Sequence, residues 1–273
     1  MTVLRAIIGI VTAVVLTPVG LAVIFFGDGE LQFNRIAGIL LTLVGIALLL
    51  MVIQTGHVSS IGLIVAGVGV TIVGLVGLLV PAFAASIESF LHGFSHQLVK
   101  PAGQWYAFGF VLAVGLLFLG IAVATWFAHR PTDVSSSPFL RGILSVVLSV
   151  AGVIAGLGFL TRTDVSFVIL GAAVLGAVAV TGMVSSAGLY VSGALALVVG
   201  IIALIFDAFA LAIAHSDVVG GNGMEAGARS ALELGFVVAL GAMLLASAVV
   251  VRSVRGRAAK RARAAQESAE SVS

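Results

Sequence analysis

Cysteine is absent from this chain, and with it go disulfides, thiolate metal sites, iron–sulfur clusters and cysteine nucleophiles. Charge is scarce: Asp, Glu, Lys and Arg make up 9% of the residues, where a soluble domain carries roughly 25%. So little polar surface cannot cover a water-soluble globule of 273 residues, 61% of which are hydrophobic. Lipid is the expected solvent for most of the chain, in keeping with a mean hydropathy of +1.28. Inside the apolar stretches the shortage sharpens. No charged residue falls near the middle of any of them, which argues against a proton-coupled carrier built on a midplane protonatable group. No lysine lies in an apolar stretch, so a retinal Schiff base is excluded, and none carries a histidine pair suited to haem. Nucleotide-binding loops, zincin motifs and serine nucleophile elbows are missing as well. No cofactor and no catalytic residue is expected.

What the chain does have is apolar length. Runs of about 20 apolar residues are transmembrane candidates. Eight such runs are found, at 4–26, 36–54, 60–81, 104–128, 140–160, 165–182, 186–206 and 231–251. The first is too long, and lacks a small-residue cleavage site, for a removed signal peptide; a retained helix kinked at Pro18 is expected. With the N-terminus inside, Arg5, Arg130, Arg141, Arg252, Arg255, Arg257, Lys260, Arg261 and Arg263 are cytoplasmic. Arg35, Lys100, Arg162 and Arg229 are external. Nine basic residues against four satisfy the positive-inside rule. Both termini are therefore expected in the cytoplasm of a plasma-membrane protein, and short loops suit a bacterial one. Trp105, Tyr106 and Trp126 read as aromatic-belt anchors at the ends of the fourth span.

The chain also reads as written twice. Thr55-Gly56-His57-Val58-Ser59-Ser60-Ile61-Gly62-Leu63 returns as Thr181-Gly182-Met183-Val184-Ser185-Ser186-Ala187-Gly188-Leu189, an offset of 126 residues. The same offset relates Gly109-Phe110 to Gly235-Phe236, while Leu4-Arg5 matches Leu140-Arg141 at 136. The expected fold is thus all-α, eight transmembrane helices as a tandem parallel repeat of two four-helix halves, residues 1–130 and 131–251, with a basic tail at 252–273. Four spans per copy is an even number, so the pseudo-two-fold axis runs along the membrane normal rather than in its plane. Gly56 and Gly182 are expected to end helices in the left-handed conformation, and Ser59 and Ser185, or the serines after them, to cap the next ones. Gly152-x-x-x-Gly156 in the fifth span has the spacing that lets helix backbones approach in lipid.

Outside the spans, residues 82–100 place Phe83, Ile87, Phe90, Leu91, Phe94 and Leu98 on one helical stripe, ended by Pro101. An amphipathic helix flat on the outer membrane surface is expected. Its opposite face carries Glu88, His92 and His96. Histidines at i and i+4 can share a metal ion, but Glu88 and His96 stand about 12 Å apart along a helix axis. A site on His92 and His96 therefore needs outside ligands, for which Asp207, His215, Asp217 and Glu225 are candidates. The second copy has Gly220-Gly221-Asn222-Gly223 in the equivalent region, so the copies are expected to diverge there. Asp207 and Glu233 read as interfacial acids, both of them candidates to pair with Arg229. In the tail, Arg252, Arg255, Arg257, Lys260, Arg261 and Arg263 form a juxtamembrane cluster that attracts anionic lipid. Disorder is expected beyond them, and without interleaved aromatics no nucleic-acid partner is expected. Three functions fit this inventory: a scaffold or accessory subunit of a membrane or envelope complex with a protein partner; a transporter or channel for an apolar or lipidic solute; and a metal-dependent enzyme at the outer surface.

Overall fold

A computed structural model describes residues 2–31, 33–57, 60–128, 138–162, 164–214 and 225–270. Every regular element among them is helical. In order these are α1 (Thr2–Glu30), α2 (Arg35–Gln54), a 3-10 turn (Thr55–His57), α3 (Ser60–Leu79), α4 (Pro81–His92), α5 (His96–Ala107), α6 (Phe110–Ala128) and α7 (Pro138–Leu160). They continue with α8 (Val165–Val180), a second 3-10 turn (Thr181–Met183), α9 (Ser186–Ile205), α10 (Asp207–Ala214), α11 (Glu225–Glu233) and α12 (Phe236–Glu270). Eight of them, α1, α2, α3, α6, α7, α8, α9 and α12, are long and apolar enough to cross a membrane. This is a multi-pass, all-helical membrane protein.

The core lies between α6 and α12. Each has 72% of its apolar window buried, against 28–44% for the other six. Around them α1 packs on α2 and α3, α7 on α8 and α9, α3 on α6, and α9 on α12. Lipid is as apolar as leucine, so these seams depend on close packing and not on hydrophobic exclusion. Glycine makes the closest approaches possible. A Cβ on Gly74 of α3 would stand 2.5 Å from the Leu112 amide nitrogen of α6, and one on Gly200 of α9 would stand 2.7 Å from that of Val238 in α12. Two further glycines turn the chain into the central helices: Gly109 and Gly235 have φ of 66° and 67°, which side chains with a Cβ rarely adopt.

Several expectations are corrected. The fourth span begins at Phe110 and not at residue 104, because Gly109 ends α5 in front of it. Trp105 and Tyr106 are consequently not belt anchors: both are buried, at 0% and 7% exposure, whereas Trp126 is exposed. The expected single helix over 82–100 is two, α4 and α5, folded against each other through a turn at residues 93–95, and Pro101 lies inside α5 instead of ending it. Residues 207–233 also contain a helix pair, α10 and α11, with Gly220–Gly223 outside the described residues. Gly56 and Gly182 are not left-handed; they sit in the 3-10 turns, buried because a Cβ would press on Leu63 at 2.9 Å and Leu189 at 2.7 Å. Ser185 does cap α9, accepting from the Ala187 amide at 3.2 Å, while Ser59 is outside the described residues. Helix α1 runs uninterrupted through Pro18, and α12 continues as helix to Glu270 where disorder was expected. Gly152 and Gly156 face Val178 and Leu175 of α8, so they serve an internal seam.

Gly109→Ala should destabilise the protein by about 2 kcal/mol or more, from left-handed backbone strain and overlap with Val168 Cγ1. Gly158→Ala, whose Cβ would meet nothing within 4 Å, should cost nothing. Thermal unfolding of both variants in nanodiscs checks this, and equal melting temperatures would contradict it.

Candidate functional site: a buried carboxylate, an apolar groove and a polar chamber

The run Phe25-Phe26-Gly27-Asp28-Gly29 puts one acid near the end of an otherwise apolar helix. Asp28 is 1% exposed. Its Oδ1 accepts from Thr42 Oγ1 at 3.2 Å and its Oδ2 from Trp105 Nε1 at 2.9 Å. A buried carboxylate needs such donors, since desolvation otherwise disfavours it strongly. Trp105 in turn meets three rings edge-on: Phe25 at 5.5 Å, Phe110 at 5.8 Å and Phe236 at 5.7 Å. Phe110 and Phe236 stack at 4.2 Å with planes 8° apart. Five helices, α1, α2, α5, α6 and α12, converge on this cluster. Sequence reasoning did not single out Asp28: it stands with Glu30 just past the first apolar run, and nothing local distinguishes the two acids.

An apolar groove of about 550 Å³, with Phe25 in its lining, runs between α1 and α3 beneath α4. Ala13, Thr17 and Leu21 form one wall, Ala66, Gly69 and Val73 the other, and Phe90 and Tyr106 the head. Ala13 to Phe25 is about 18 Å of helix at 1.5 Å per residue, close to one leaflet's depth in a hydrocarbon core of about 30 Å. Wall residues Val14 and Val73 are exposed on the bundle surface, so the groove opens sideways toward lipid. At its foot α1 and α3 touch: a Cβ on Gly62 would stand 2.5 Å from the Gly9 carbonyl oxygen. Two polar groups line it. Thr17 is 2% exposed and its hydroxyl has no hydrogen-bond partner. Burial raises the Tyr106 phenol above its ordinary range, so it remains a neutral hydroxyl. Between α7 and α9 hydroxyls bridge the helices at the corresponding depth, while a separate cavity of about 490 Å³ lies at the start of α7, beside Ile143, Val147 and Ala187. Ser145 Oγ donates to the Ser185 carbonyl at 2.8 Å, and the Ser149 and Ser192 hydroxyls bond each other at 2.7 Å.

Asp28 also lines a polar chamber of about 290 Å³, together with Arg35, Lys100, Gln104, Arg229, Ser230 and Glu233. Arg35 donates through Nε at 3.3 Å and Nη2 at 2.7 Å to the Leu204 carbonyl of α9. Arg229 Nε meets Glu233 Oε1 at 2.6 Å, the pairing anticipated for that acid.

The remaining sequence candidates are scattered. His92 and His96 do come together across the α4–α5 turn, ring centroids 3.9 Å apart. Glu88 is directed elsewhere: a Cβ on Gly103 would stand 2.5 Å from its Oε1. His215 and Asp217 lie outside the described residues, as do the side chains of Asp207 and Glu225. Among the described residues no group of three or more His, Cys, Asp or Glu could hold a metal ion. Of the basic cluster, Arg252, Arg257, Lys260, Arg261 and Arg263 are exposed, but half-buried Arg255 turns inward and donates through Nη2 to the carbonyls of Gly182, at 2.7 Å, and Met183. Comparison with protein-family models, with curated proteins and with solved structures finds no match.

Trp105→Phe removes the Asp28 Oδ2 donor while keeping an aromatic ring, and should lower unfolding free energy by about 1–3 kcal/mol. Denaturant titration in mixed micelles measures it. A loss within error would mean that the hydrogen bond contributes nothing to stability.

Proposed function

We propose that this chain is a duplicated, non-enzymatic membrane protein that holds a lipid tail or similar apolar chain in the groove between α1 and α3. The observation that carries the reading is the groove itself: laterally open, apolar, leaflet-deep, and lined by a buried hydroxyl with no partner. Its volume falls within the roughly 300–1,000 Å³ of small-molecule sites. Contact between Gly9 and Gly62 at the foot favours retention of a ligand over conduction through the bundle.

Duplication is supported by paired contacts. Gly67 abuts the Leu119 amide and Gly193 the Leu245 amide, each 2.9 Å from an added Cβ. Gly20 and Gly45 meet as Gly156 and Gly171 do. A Cβ on Gly109 would strike Val168 and one on Gly235 would strike Thr42, positions that exchange under the 126-residue offset. That reciprocity is what a pseudo-two-fold axis produces. The same correspondence supports specialisation. Ala13, Ala66 and Gly69 line the groove, and their counterparts are Ser149, Ser192 and Leu195. One copy is bridged by a serine pair at the depth where the other is left open.

The distribution of basic residues supports a plasma-membrane setting with both termini cytoplasmic. There the exposed arginines and lysine of α12 meet anionic lipid, and an envelope-complex partner would receive or supply the bound chain.

Gly69→Leu fills the groove with the residue found at the corresponding position. Because a Cβ at Gly69 meets nothing within 4 Å, the fold should tolerate it. Native mass spectrometry after gentle extraction should find a lipid on the wild type and several-fold less on Gly69→Leu at unchanged melting temperature. Equal lipid occupancy in the two would sink the proposal. The double variant Ala13→Ser/Ala66→Ser, which rebuilds the serine pair, should act in the same direction.

A further inference from the structure

We propose that His92 and His96 form a two-imidazole binding site for a divalent transition-metal ion, zinc or copper, separate from the groove and independent of its ligand. His92 is the last residue of α4 and His96 the first of α5. The turn at residues 93–95 folds α5 back on α4 and brings the two rings together, with centroids 3.9 Å apart and planes at 75°. A zinc ion bonds an imidazole nitrogen at about 2.0–2.1 Å, so two nitrogens on one tetrahedral ion stand roughly 3.3 Å apart. Rings this close reach that spacing by rotation about their own side-chain bonds. Both side chains are exposed, so neither is wedged against the bundle.

The donor set selects the class of ion. Neutral imidazole suits zinc, copper and nickel, whereas magnesium and calcium take oxygen ligands. With no cysteine in the chain, no thiolate competes for the same ions. His57, the other described histidine, lies at the far end of α3 from this pair. Among the described residues no third His, Asp or Glu joins the two rings, and Glu88 lies against Gly103 instead. The remaining coordination positions therefore fall to water or to an external donor. Helix α4 has no buried residue, while α5 is anchored through Trp105 to Asp28. An ion bonded to both rings is thus a staple that fastens a peripheral helix to an anchored one.

The full chain, purified without a histidine tag into nanodiscs of phosphatidylcholine, is titrated with zinc chloride by calorimetry. Saturable one-to-one binding is expected. His92→Gln and His96→Gln should each weaken it by about tenfold or more, since even the groups behind a metal ligand are worth that much. Both positions are exposed, so the melting temperature should not change. Glu88→Gln should leave binding as it is, which separates the imidazole pair from a carboxylate-bearing surface. Copper(II) added at one equivalent should show two equatorial nitrogens by electron paramagnetic resonance in the wild type and one in either histidine variant. Zinc should also slow hydrogen exchange of the α4 amides several-fold in the wild type alone. Gly69→Leu should bind zinc like the wild type, so failure of the groove leaves this outcome readable. No saturable binding, or an affinity that either histidine variant leaves unchanged, overturns the site. Unchanged exchange in α4 on a filled site overturns the staple.

Discussion

A single hydrogen bond, Trp105 Nε1 to Asp28 Oδ2, organises the end of this bundle. A carboxylate this buried needs hydrogen-bond donors, and the protein supplies two: an indole from α5 and a hydroxyl from α2. Satisfying it draws α5 down between the transmembrane helices. The indole then offers its edges and face to Phe25, Phe110 and Phe236. The left-handed turns at Gly109 and Gly235 set Phe110 and Phe236 at the start of the two central helices, where they stack on each other. Trp105 contacts a lining residue of each cavity, Phe25 of the groove and Asp28 of the chamber. Asp28 faces the chamber and Phe25 the groove, three residues apart on the same helix.

The rest of the architecture follows from where side chains are small. In lipid there is no hydrophobic gain from joining apolar helices, and seams form where backbones approach closely. Gly74 against Leu112 and Gly200 against Val238 are such seams. The groove is the exception that the same rule produces. Gly9 and Gly62 bring α1 and α3 together at the foot, but higher up Ala13, Ala66 and Gly69 are small without being in backbone contact. Small residues that do not touch leave a space, and a space of this size among apolar walls suits a chain-like ligand better than water. Between α7 and α9 the corresponding space is taken up by hydroxyls that bind each other. The proposed duplication thus yields two similar frames that differ at this depth, one open and one bridged by hydroxyls.

The chemistry at the two ends of the bundle differs in kind. At the α4–α5 end, charges of both signs surround a chamber and are arranged by other protein groups. At the opposite end α12 carries its cations outward, and of the basic cluster Arg255 is the one turned in, tying α12 to the 3-10 turn through the Gly182 and Met183 carbonyls. The first arrangement is enclosed by the protein; the second is turned outward.

Eight spans, an all-helical class and the positions of most helix ends were legible in the sequence, because apolar length and turn chemistry are local properties. Ser185 as a cap and the pairing of Glu233 with Arg229 were legible for the same reason. Other features needed the third dimension. Asp28 and Trp105 are 77 positions apart in sequence, and nothing local to either says that they meet. Trp105 near the end of an apolar run looks like an interfacial anchor until α5 folds inward. The helix over 82–100 has continuous amphipathic spacing, yet packing of α5 on α1 and α6 breaks it in two. Cavities belong to pairs of helices and not to either alone. Local patterning therefore determined which segments enter the membrane, and only tertiary packing decided what lies between them.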